Sequence, residues 1–528
     1  TNLKYLEGQA AALGNLGAVY NSLCTYSQAI TYQQESLEIS RAIGSKYGEA
    51  GSLSNLGSVY HNLDNYKLAI TYHQEALDIS KEIGDKRGEA NCLGNLGNAY
   101  RFLGNYEQAI TYYKQSLKIL QTIGDKSGAA TALSALGNAY GSLKNYEKAT
   151  TYHQQSLAIE CSINDKKGEA GSLNSLGNIY HSLGDYGQAI TYHQQSLKIL
   201  REIGHKQGEA ASLNGLGNVY YSLGNYEQAI ISHQQSLAID QEIGNQRGQA
   251  SSLTGLGSVY NTLGDYGKAI VAYQQSLEIR QVIGDSDGEG GSLCNLGNIF
   301  RSLGDYHKAI DLYHQALLIQ RKVGNREFEA NSLHGLGNVY DSLGDYRQAI
   351  DYHQQSLEIK RTIGDKRGEA ESLSGLGNVY SSSGDYRQAI TYYQQSLTIQ
   401  KEIDDRSGVG NSLFNMALAQ AKLDDHGQAL LNFQQAKAIY ADLKLDHRIE
   451  QCNQAIRQCH QIIPAQHRLA PSIGNEPKPE SLSSWYEQER QANQRKTHTA
   501  QTRAGNQPFY LWVAVALVVA MLVWWLKR

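Results

Sequence analysis

An all-α solenoid with one separate helix at its C-terminal end is the architecture this sequence predicts, on three observations. The 528-residue chain repeats itself about every 40 residues over most of its length. Each repeat carries two amphipathic helical patterns. All five prolines (Pro464, Pro471, Pro477, Pro479 and Pro508) lie near the C-terminus, so everything before them is free to be helix.

The period is marked by Gly8, Gly48, Gly88, Gly128, Gly168, Gly208, Gly248, Gly288, Gly368 and Gly408, with Phe328 once in the same place. It defines eleven units over residues 1–447. In the third unit, Leu93, Leu96, Gly97, Tyr100 and Leu103 follow the i, i+3, i+4, i+7 rule. Tyr106, Ala109, Ile110, Tyr113, Leu117 and Leu120 follow it again. Leu-Gly-Asn at 103–105 separates the two patterns, and Ile-Gly-Asp at 123–125 ends the unit, with Gly suited to a left-handed C-terminal cap and Asp to a new N-cap. A hairpin of this size cannot bury its apolar stripe alone, so the units must stack and share one elongated core.

After the repeats, residues 448–463 read as a helix covering the open end of the stack. Residues 464–508 combine the prolines with Gln, Asn, Ser and Thr, the composition of a disordered linker. Residues 509–526 then run without a charge and would span about 27 Å as a helix, which predicts a single-pass C-terminal transmembrane anchor. Tyr510, Trp512, Trp524 and Trp525 stand where interfacial aromatics belong, and Arg490, Arg495, Lys496 and Arg503 precede the segment. That asymmetry places the repeats on the cytoplasmic side of a membrane.

The pattern L-x-x-L-G-x-x-Y-x-x-L-G-x-Y-x-x-A-I resembles the tetratricopeptide repeat over residues 8 to 447. The usual period of that family is about 34 residues. The additional residues, around the turn ending in Ile-Gly-Asp, extend the second helix of each pair. The longer form is similar to the repeats of Pins/LGN adaptors and of bacterial long-repeat arrays. The resemblance implies a right-handed superhelix whose first helices line a concave groove, and extended peptide segments of partner proteins as its ligands. The short G-protein-binding motifs of Pins/LGN proteins have no counterpart in 464–508.

Within L-G-N, Gly lies in the apolar stripe, where a missing side chain lets the second helix come close. Asn lies on the far side, about 140° from Leu93, and is a poor helix former there. It recurs as Asn98, Asn138, Asn178, Asn218, Asn298, Asn338 and Asn378. The resemblance implies a ladder of amides that hold a peptide backbone. The alternative is an Asn that bridges adjacent repeats. Arg101, Tyr221 and Arg301 are further groove candidates, among neighbours that are small, polar and mostly neutral. Scattered charges such as Asp341, Glu371 and Lys422 do not form the Lys/Arg clamp that some members of the family use for acidic C-termini.

Chemistry has no other foothold. The recurrent Y-H-Q-Q-S-L invites a catalytic His and Ser, but His73, His153, His193, His233 and His353 share a helix position with Tyr113, Tyr273, Tyr313 and Tyr393. A place that accepts either ring is a packing slot. No His pair at i, i+4, no phosphate-binding Gly-rich loop and no C-x-x-C is present. The six cysteines read as free thiols, and a net charge of −4 gives no electrostatic case for nucleic acid. The sequence therefore predicts no enzyme, no cofactor, no metal and no small-molecule substrate. It predicts a membrane-tethered scaffold with protein partners and a lipid bilayer. The alternative is a self-assembling repeat array without a dedicated peptide ligand.

Overall fold

The computed structural model describes residues 2–462, which form 23 α-helices. The first 22 pair into eleven hairpins, and Asp446–Ile462 follows them. Two compact units divide the chain, residues 1–328 and 329–528, and each is a stack of such hairpins.

The third repeat shows how sequence becomes hairpin. Its helices, Lys86–Phe102 and Tyr106–Thr122, have 17 residues each. The length beyond the family's usual period is thus not a feature of the second helix alone. After Phe102 the chain turns through Gly104 at φ +77°, and the Asn105 side-chain Oδ1 caps the next helix by accepting from the Gln108 backbone N–H at 3.2 Å. The second turn repeats the device with Gly124 at φ +72° and Asp125 accepting from the Gly128 N–H at 2.9 Å. A left-handed residue ends each helix, and a short polar side chain starts the next.

In seven turns the left-handed position is not glycine. Lys144 is one of them, at φ 56°. A Cβ in this region costs roughly 1–2 kcal/mol, part of which glycine would return as chain entropy. Lys144→Gly is therefore expected to stabilise the protein by up to about 1 kcal/mol, read as a higher urea midpoint at unchanged helicity.

Leu93, Leu96, Ala109 and Tyr113 are all at most 2% exposed. Tyr100 stacks on Tyr112 with ring centroids 5.4 Å apart, and the same pair recurs as Tyr60–Tyr72, Tyr140–Tyr152, Tyr180–Tyr192 and Tyr380–Tyr392. Leu103, the last member of the predicted stripe, is instead 45% exposed. Leu103 is the C-cap residue and still donates to the Ala99 carbonyl at 3.1 Å, but at about 100° per residue it stands about 80° from Leu93, at the edge of the stripe. Helix Asp446–Ile462 packs Ala455 and Cys459 against Ala417, Ala429 and Phe433.

The membrane assignment requires correction. No helix among the described residues is long and apolar enough to cross a membrane. The typical 17-residue helix here is amphipathic and interleaves polar residues with its apolar stripe, as in Lys86–Phe102. Among the described residues the fold is thus an all-α solenoid with no transmembrane helix, and the single-pass, C-terminally anchored membrane localisation expected from the sequence is not supported. Residues 464–508 and 509–526, on which the linker and anchor were placed, lie outside the described residues.

Candidate functional site

Successive first helices touch one another. In the first unit Asn2–Ser22 meets Lys46–Asn62, which meets Lys86–Phe102, and Lys166–Ser182 meets Lys206–Ser222. In the second unit Lys366–Ser382 meets Arg406–Lys422. No two successive second helices among the described residues come as close. First helices therefore make the tighter side of each stack, and their uncovered residues share one wall.

The asparagines on that wall fall into two classes, set by the ring in the slot of the second helix. Where the slot holds Tyr, its buried hydroxyl donates to the amide oxygen: Tyr113 to Asn98 at 2.7 Å, Tyr313 to Asn298 at 2.7 Å and Tyr393 to Asn378 at 2.8 Å. Ser258, which replaces Asn in its repeat, meets the Tyr273 hydroxyl at 2.9 Å. Where the slot holds His153, His193, His233 or His353, the ring lacks the outer hydroxyl. The side chains of Asn138, Asn178, Asn218 and Asn338 make no hydrogen bond among the described residues. The bridging alternative has one instance, a 3.4 Å contact from the Asn415 amide to Asn378 Oδ1.

Arg101 and Arg301 lie beside the first two of these pairs. Burial pushes the Tyr113 and Tyr313 hydroxyls up from their ordinary pKa, and the neighbouring guanidiniums of Arg101 and Arg301 draw them back. Each Arg is thus brought together with a ladder Asn. The Tyr221 hydroxyl sits 2.9 Å from Thr262 Oγ1 in the next repeat. The same step of 41 residues links Asn62 to Asn21 at 3.0 Å and His181 to Ser222 at 2.8 Å, and sets the His61 and Phe102 rings edge to face at 5.0 Å. These pins between repeats escaped the sequence reading. A spacing of one period plus one residue is the signal that would have found them.

The histidines and serines of Y-H-Q-Q-S-L are built into the core. His193 is 0% exposed. It lies between two glycines: a Cβ on Gly177 would stand 2.7 Å from its ring, and one on Gly215 would stand 2.5 Å away. Gly215 therefore covers the preceding repeat's histidine and does not line the groove. Burial holds His73, His153, His193 and His233 down to about 4, so they are neutral at pH 7. Ser196 donates to the Ala170 carbonyl at 2.8 Å and meets Ser212 Oγ of the next repeat at 3.0 Å. Ser116, Ser156, Ser236, Ser276, Ser356 and Ser396 bond a first-helix carbonyl in the same way. The described residues contain no group of three or more His, Cys, Asp or Glu that could hold a metal ion. The described cysteines are free thiols.

In the second unit the wall deepens into a recess of about 520 Å³, lined by Asn338, Glu371, Asn378 and Asn415 together with Arg367 and Arg448. Arg448 is already engaged. It donates to Asn411 Oδ1 at 2.5 Å and to the Tyr440 hydroxyl at 3.0 Å.

No curated protein matches the sequence. Among solved structures, a Rap protein complexed with Competence and Sporulation Factor aligns at 17% identity, covering 68% of this chain and 99% of its own, with a TM-score of 0.49. The Cut9 and Hcn1 hetero-tetramer of the APC/C contributes a chain that aligns at 15% identity over 84% of this chain and 96% of its own, with a TM-score of 0.36. BtubC from P. vanneervenii aligns at 20% identity over 42% of this chain and 92% of its own, with a TM-score of 0.37. None of these singles out the Pins/LGN branch. Profiles described as tetratricopeptide repeat match residues 48–122, 168–242, 208–281, 288–362 and 365–442, and a further one matches 129–160. With more than half of its residues matched in this way, in phase with the hairpins described above, the chain belongs to the tetratricopeptide repeat family.

Proposed function

We propose that this protein is a binding scaffold whose first-helix wall holds extended segments of partner proteins through their backbones. The observation that supports this reading is the set of unpaired amides of Asn138, Asn178 and Asn218 in three consecutive repeats. Exposed mid-helix Asn costs about 0.7 kcal/mol relative to Ala and gains nothing locally. A primary amide offers one donor and one acceptor group, which matches the alternating N–H and C=O of an extended chain. The wall around them carries few charges, so the bound segment is recognised by its main chain more than by its charge.

The test separates binding from folding. Peptides selected on the full chain from a displayed library of random linear sequences are assayed on a variant with Asn138→Ala, Asn178→Ala and Asn218→Ala. Each lost hydrogen bond is worth roughly 0.5–1.5 kcal/mol, so the three together should weaken binding by between about tenfold and a thousandfold, less if neighbouring sites do not add. The urea midpoint should hold or rise. Asn98→Ala is the contrasting case, because it removes the acceptor of the buried Tyr113 hydroxyl and should destabilise by about 1–3 kcal/mol. Unchanged affinity in the triple variant, or loss of stability comparable to Asn98→Ala, overturns the reading.

A further inference from the structure

One residue of the wall breaks its neutral pattern where it lines the recess of the second unit. Its register in the repeat is occupied by Asn91, Thr131, Gly171, Ala211, Ser251, Gly291, Asn331 and Asn411 elsewhere, and by Glu371 in the tenth repeat. Glu371, Ser374 and Asn378 form one stripe of helix Lys366–Ser382, spaced i, i+3, i+7, and all three line the 520 Å³ recess. The carboxylate is open to the mouth of the recess, yet it makes no hydrogen bond or ion pair among the described residues. Arg367, one turn away on the same helix, does not pair with it, and Arg448 is taken up by Asn411 and Tyr440.

We infer that Glu371 is a specificity-determining residue that receives a Lys or Arg side chain of the bound segment, with Asn338 holding the backbone beside it. Partial desolvation beside the recess, with Asp365 and Asp405, raises the carboxyl above its ordinary pKa against the pull of Lys360 and Arg367. The carboxylate has no direct ion-pair partner among the described residues, and an entering ammonium or guanidinium supplies one. The side-chain oxygens of Asn338 and Asn415 at the recess, which accept no other bond among the described residues, provide further acceptors for its N–H groups. A neutral side chain would leave Glu371 desolvated and unpaired, so the same group that attracts a basic residue rejects an apolar one.

This inference rests on the reading of the wall as a peptide groove, and the experiment distinguishes the failure of each. The full chain and its Glu371→Gln variant are each used to select from the random peptide library. Peptides enriched on the natural chain should share a Lys or Arg at a fixed place. Glu371→Gln should weaken those peptides about tenfold or more. Replacing their basic residue with Ala should have the same effect on the natural chain and little effect on the variant. The urea midpoint of Glu371→Gln, measured alongside, should match that of the natural chain, since the carboxylate bonds nothing. Enrichment of peptides with no basic preference, or with an acidic residue that survives Glu371→Gln, overturns the role of Glu371 and leaves the groove standing. Failure of any peptide to bind above background overturns both.

Discussion

Gly177→Ala combined with Gly215→Ala is expected to destabilise the protein by up to about 4 kcal/mol, whereas Gly171→Ala, in the same helix as Gly177, should stabilise it. All three changes replace the poorest helix former but proline with the best, for a gain of about 1 kcal/mol each. They differ in what the new methyl group meets. At Gly171 nothing lies within 4 Å. At Gly177 and Gly215 the methyl would come within 2.7 and 2.5 Å of the His193 ring, from opposite sides. A ring held between two helices cannot retreat from one without striking the other. Overpacking of this kind costs typically 1–3 kcal/mol per site and outweighs the propensity gain. His193→Ala opens the space, so adding it to the double variant should recover part of the loss, a coupling read directly from urea midpoints. If Gly177→Ala instead stabilised the chain as Gly171→Ala does, the close approach of the second helix would be refuted.

That contrast marks where sequence patterns are informative about this fold and where they fall silent. The L-G-N glycine was legible because it sits in phase with Leu93 and Leu96. The turn residues were legible because Gly104 and Asp125 each perform a local task that few residue types can. What periodicity cannot display is contact between repeats. Ser196 reads as an ordinary polar position, yet it joins Ala170 to Ser212 inside the core. Tyr221 reads as an exposed groove residue, yet it reaches Thr262. The Asn positions look equivalent in the sequence, and they divide only when the ring across the hairpin is seen to reach Asn98 but not Asn178. Leu103 was misplaced because, as the C-cap about 80° round from Leu93, it stands at the edge of the stripe and not within it. The apolar run at 509–526 was read by length and composition alone, and among the described residues no helix has the character to cross a membrane.

Lowering the pH from 7 toward 4 is expected to destabilise the array well before its carboxylates are neutralised, and the buried histidines are the cause. In the unfolded chain a histidine takes up its proton near pH 6.5, while His73, His153, His193 and His233 are held neutral down to about 4. The folded state therefore binds fewer protons than the unfolded state between these values, and stability falls as pH falls through that window. Above pH 6.5 both states are neutral and the effect is absent. Below about 4 it is complete, at about 3 kcal/mol for each histidine. Desolvation is the dominant cause at every site. His61 adds like-charge repulsion to His73, and His181 adds it to His193. His153, His193 and His233 occupy three consecutive repeats, so acid unfolding should begin there and not in the neighbouring repeats of Tyr113 and Tyr273. Buried Glu160 and Asp240, whose carboxyl pKa values are raised by desolvation, work in the opposite direction. The decisive comparison is thus with a variant carrying His153→Tyr, His193→Tyr and His233→Tyr. A tyrosine in this slot finds its hydroxyl acceptor in the ladder Asn, as Tyr113 does in Asn98, so the variant should fold. Its urea midpoint should change far less between pH 7 and pH 5 than that of the natural chain, and an equal loss in both would show that the histidines do not govern the acid response.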